Sequence, residues 1–82
     1  MRSILTGTAE CGGSDVRYYL LQEPLGEEAE CYGVAVEYGG ERAELRDLTP
    51  SRGRAEELLE RMRRGQVTPV TARDVVEDWL LE

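Results

Sequence analysis

The stretch CYGVAVEYGGERAELRDL, residues 31–48, decides the fold. Gly39 and Gly40 separate two runs in which apolar and polar residues alternate. A two-residue type I′ turn needs positive φ at both positions, and glycine adopts it without steric cost. If those glycines are the whole loop, the register follows. Tyr38 faces Glu41, Val36 faces Ala43, Val34 faces Leu45 and Tyr32 faces Asp47. One hairpin face is then apolar, while the other carries Glu37 opposite Arg42 and Ala35 opposite Glu44.

Upstream of this hairpin, VRYYLLQE (residues 16–23) reads as a strand that Pro24 ends. Val16, Tyr18 and Leu20 share one face and are expected in the core. Tyr19 and Leu21 share the other face with Arg17 and Glu23. The segment from Leu25 to Glu30, with Gly26 and three glutamates, is expected to be a solvated loop. Cys11 to Asp15 is a turn by composition. Ile4 to Ala9 alternates only briefly, so residues 1–15 are either an edge strand or a flexible arm.

Downstream, two helices follow. Thr49 is expected to cap the first, with Pro50 at its first helical position and Ser51 as the rival cap. Ala55, Leu58, Leu59 and Met62 recur at i, i+3, i+4 and i+7, an apolar stripe, and Gly65 is expected to stop the helix. Thr71 and Asp74 have the spacing of a capping box for the second helix, with Val70 placed to staple onto Val75. Its core face is expected to hold Ala72, Val75, Val76, Trp79 and Leu80, with Trp79 against Val34, Val36 and Leu45.

These elements define one α+β domain over residues 1–82. A three- to four-stranded antiparallel meander sheet is followed by two C-terminal helices packed on one face. The opposite sheet face is left open. Tyr19, Leu21, Ala35 and Leu48, with Gly33 among them, are expected to form an apolar patch there, which Leu81 extends. Such a patch marks a contact surface for a protein partner or a second copy of the chain.

Composition narrows the chemistry. The chain has no histidine, which removes the commonest general base and transition-metal ligand. All ten basic residues are arginine, so no Schiff-base or phosphate-binding lysine is present. The 17 acidic side chains leave a net charge of −7, which disfavours a broad nucleic-acid interface. Cys11 and Cys31 are expected to be reduced thiols, placing the chain in the cytoplasm, and no apolar run is long enough for a membrane span. No enzyme activity, cofactor, metal or small-molecule substrate is expected.

Four constellations have both a functional and a plain structural reading, and the structural one is expected for each. Arg52, Arg54, Arg61, Arg63 and Arg64 could contact an anion, but i,i+4 pairs with Glu57 and Glu60 and the helix macrodipole account for most of them. Asp74, Glu77 and Asp78 could hold a hard cation, yet a cap and solvation suffice. Tyr18, Tyr19, Tyr32 and Tyr38 could stack bases, but no interleaved basic motif accompanies them. Cys31 could be reactive, but only arginine or a helix terminus is available to activate it.

YYLL (residues 18–21), YGVAVEY (32–38), VTPV (67–70) and above all the ending RDVVEDWL (73–80) resemble a family of short bacterial proteins catalogued as a domain of unknown function. The resemblance covers residues 16–82 and implies a cytoplasmic bacterial domain without an assigned activity. The expected role is a protein-interaction or regulatory module. The alternative is an acidic protein that occupies a basic, nucleic-acid-binding surface of a partner.

Overall fold

Alternation along the first half of the chain produces four strands in the computed structural model, which describes residues 1–82. They are β1 (Arg2–Cys11), β2 (Ser14–Pro24), β3 (Glu30–Tyr38) and β4 (Glu41–Thr49), followed by helices α1 (Arg52–Arg64) and α2 (Pro69–Leu80). The strands form one antiparallel sheet in the order β1-β2-β3-β4, a meander. Residues 2–11 are therefore the edge strand, and the turn expected over Cys11 to Asp15 narrows to Gly12-Gly13, with Ser14 and Asp15 opening β2. Gly12-Gly13 and Gly39-Gly40 both adopt positive φ, the requirement of type I′ turns.

The central hairpin pairs Tyr38 with Glu41, Val36 with Ala43 and Val34 with Leu45, as its glycine turn dictates. The register then slips. Tyr32 pairs with Thr49 rather than Asp47, because an irregularity falls between Tyr32 and Val34 and Asp47 turns to φ 57°. A side chain at Gly33 would collide with the Leu45 carbonyl and come within 2.9 Å of the Arg46 Cα, so only glycine admits this close approach of β4. A second shift in β1 lies between Leu5 and Gly7, where the Thr6 hydroxyl donates to the Tyr18 carbonyl at 3.1 Å.

The core lies between the sheet and the helices. Val16, Tyr18, Leu20, Val34 and Val36 meet Ala55, Leu58 and Met62 of α1, and Ala72, Val76 and Trp79 of α2. Trp79 is buried in this cluster with Val34, Val36 and Leu45, and the Arg54 guanidinium sits 4.9 Å from its ring centre. The Tyr18 hydroxyl donates to the Val67 carbonyl at 2.8 Å, which ties the link between the helices to the sheet.

The helix termini differ from those expected. Ser51 caps α1, accepting from the Arg54 N–H at 3.3 Å. Thr49 ends β4 and its hydroxyl accepts from the Ser51 N–H. At the other end Gly65 is the C-cap of α1, as expected, but at φ −83°, and Gln66 takes the left-handed conformation instead. The Gln66 and Val67 N–H groups reach the Arg63 and Met62 carbonyls, the paired bonds of a Schellman motif. α2 begins one turn early, because Thr68-Pro69 places proline in the first turn. Thr71 and Asp74 therefore lie inside the helix and form no box. Val70 points into solvent instead of stapling to Val75, and Leu80 is exposed rather than in the core.

Candidate interaction surfaces

The sheet face away from the helices is roofed by its own polar side chains. Arg42 on β4 bonds Glu37 at 2.7 Å and Glu44 at 2.9 Å, and its guanidinium lies 5.0 Å from the Tyr19 ring centre. It also donates to Ser3 Oγ on β1, and the Tyr19 hydroxyl donates to Glu37 at 3.2 Å. Arg46 crosses from β4 to β2 and grips Glu23 with two bonds of 2.6 and 2.7 Å. That grip holds the Glu23 carboxyl below the usual carboxylate range. Planar guanidinium groups on long apolar stems suit such cover, since the stem packs while the head stays solvated.

The expected apolar patch is consequently not an exposed surface. Leu21 and Ala35 are 1% and 0% exposed, Gly33 is buried, and Tyr19 is half-buried. Leu48 is half-buried and packs against the core on the helix side, because the irregularity at Asp47 shifts its face. Of these six residues only Leu81 is fully open, at 86%. Cys31 and Asp47 meet at one end of this face, where the thiol donates to the carboxylate at 2.8 Å. Burial, then the hydrogen bond to the Asp47 carboxylate, pushes the thiol up, which favours its protonated form.

The tyrosines do not share a surface. Tyr18 and Tyr32 belong to the core, Tyr38 packs against it while donating to the Cys11 carbonyl, and only Tyr19 lies on the roofed face. On α1 every arginine but Arg54, which lies over Trp79, is tied to an acid. Arg52 pairs with Glu56, Arg61 with Glu82, and both Arg63 and Arg64 with Glu60. The Arg63 hydrogen bond leads in lowering the Glu60 carboxyl to about 2. The Arg63 stem crosses Gly7, where an added Cβ would lie 3.1 Å from its Cδ. No three histidine, cysteine or acidic side chains converge in a metal-binding arrangement.

The outer side of α2 is different. Val70, Asp74, Glu77 and Leu81 recur at i, i+4, i+7 and i+11, which places them along one line of the helix. Leu80 and Asp78 flank it, and every one of these six residues is exposed. None of the ion pairs involves a residue of α2. Sequence reasoning missed Val70 because it capped the helix at Thr71, and it placed Leu80 in the core although that residue lies at the margin of the apolar stripe. The Thr68-Pro69 pair was the signal for the earlier start.

The architecture is that of a small α+β domain, an antiparallel four-stranded meander with a two-helix layer on one face. No helix is long and apolar enough to cross a membrane. The chain belongs to a family of unknown function, DUF6514, whose pattern matches residues 3–82. No curated protein and no solved structure matches the chain.

Proposed function

We propose that this chain is a small protein-interaction module whose contact face is the outer side of α2. One observation carries the reading: Val70, Leu80 and Leu81 stand 77%, 51% and 86% exposed on a single short helix whose inner side is already spent on the core. Large apolar side chains held in water on a rigid element gain free energy when a partner covers them, each worth ~1.5–3 kcal/mol if fully buried. The free thiols of Cys11 and Cys31 fit a reducing, cytoplasmic setting. Neither catalysis nor a bound cofactor enters this reading.

Affinity capture from native cell lysate, with mass spectrometric identification, tests it. The full tagged chain is compared with Val70→Ser/Leu81→Ser. An identified protein that binds the wild type and is lost from the variant, at an unchanged melting temperature, supports the assignment. Equal recovery with both baits overturns it.

A further inference from the structure

We infer that the occupant of the α2 face is a basic protein segment, one that presents arginine or lysine side chains between apolar ones. The inference rests on the interaction reading above and names its partner class by charge. Between Val70 and Leu81, about 16 Å apart along the helix, lie Asp74, Glu77 and Asp78, with Arg73 the sole cation. On α1 most carboxylates are already matched by arginine, whereas α2 makes no ion pair at all. The chain as a whole carries −7, so the field around this face is negative. A basic partner is drawn toward it and oriented by it.

The same charges discriminate against other occupants. Nucleic acid and anionic lipid would bring phosphates against three unneutralised carboxylates. A second copy of the chain would bring another −7. An acidic peptide would leave like charges facing each other. A basic amphipathic segment alone satisfies both the carboxylates in the middle of the face and the apolar side chains at its ends.

Fluorescence anisotropy tests this with a defined probe, a labelled amphipathic helical peptide of arginine, leucine and alanine, beside a counterpart with glutamate in place of arginine. The full chain should bind the basic peptide, more weakly as salt rises, and ignore the acidic one. Asp74→Asn/Glu77→Gln/Asp78→Asn should weaken binding by about tenfold, three close charge pairs being lost together. A control, Glu27→Gln/Glu28→Gln/Glu41→Gln, removes as many unpaired acids elsewhere and should weaken it less than about twofold. No binding by the wild type, or equal loss in both variants, overturns the inference. So does lysate capture that Val70→Ser/Leu81→Ser abolishes and the α2 carboxamide variant leaves intact, an outcome in which the interaction reading survives and the basic partner does not.

Discussion

At the residue scale, two positions hold the fold to its particular geometry. Gly33 is one, because the backbone of β4 fills the space where any other residue would put its Cβ. Gly33→Ala must push β4 away or undo the left-handed turn at Asp47, and strain of this kind costs about 2 kcal/mol or more. For a domain this small, the melting temperature should fall by about 8 °C or more, measured by circular dichroism. A shift under about 2 °C would mean that the approach of β4 is not fixed. Tyr18 is the other. Its ring fills the core and its hydroxyl satisfies the Val67 carbonyl. Tyr18→Phe should cost about 1–3 kcal/mol by leaving that acceptor unpaired. Burial pushes the Tyr18 phenol up to about 12 from an ordinary value of 10. The folded state thus favours the neutral phenol. The resulting stability is complete below pH 10 and is lost as pH rises through 10 to about 12. Denaturant midpoints across that window should fall more steeply for the wild type than for Tyr18→Phe, and parallel curves would contradict the assignment.

At the element scale, what the sequence revealed and what it concealed have separate physical causes. Strand existence and the α1 stripe were legible because each follows from a period, two for strands and about 3.6 for helices, and the hairpin register because a two-residue glycine turn sets it. The slip at Gly33 was not, because a backbone overlap leaves no mark in alternation. The apolar residues of the outer sheet face, Leu21 and Ala35, were read correctly as facing away from the helices. Their cover was missed because Arg42 and Arg46 reach it from another strand, a contact that pairing rules do not carry. For the proposed interaction face, Leu81 was legible as an exception to its helix, whereas Val70 was misassigned along with the helix start. Caps were the least legible, since Thr49 and Ser51 compete within one turn, as do Thr68 and Thr71. The structure resolves both contests into one measurable contrast. Ser51→Ala should cost ~1 kcal/mol, because it strips the hydroxyl that accepts from the Arg54 N–H. Thr71→Ala should stay within about 0.5 kcal/mol of wild type, because Thr71 sits exposed within α2 and caps nothing. Urea midpoints for the two variants give the comparison, and a larger loss from Thr71→Ala would restore the later helix start.

At the scale of the whole molecule, stability comes from clasping one sheet face with two helices, Trp79 and the Tyr18–Val67 bond joining the layers. A small domain with a core of this size could also have drawn on a covalent staple. The meander determines whether its two cysteines can supply one. Cys11 sits opposite Ser14, at the Gly12-Gly13 end of the sheet, while Cys31 sits opposite Glu23. Ser14 and Glu23 are separated by nearly the full length of β2, which at strand rise is roughly 30 Å. A disulfide requires Cα atoms within about 7 Å, so no rotamer or loop motion can join these thiols while β2 remains paired on both sides. Cys31 is in addition buried, and its S–H stays protonated in a hydrogen bond to Asp47. The folded chain should therefore resist intramolecular oxidation. Thermal melts with and without reductant should superimpose. Mild oxidant should leave the intact mass two hydrogens above that of a bridged form, with Cys11 alone labelled by a thiol reagent under native conditions. An intramolecular Cys11–Cys31 bridge formed without prior unfolding would refute the strand order itself, since only a different sheet could bring the two residues together.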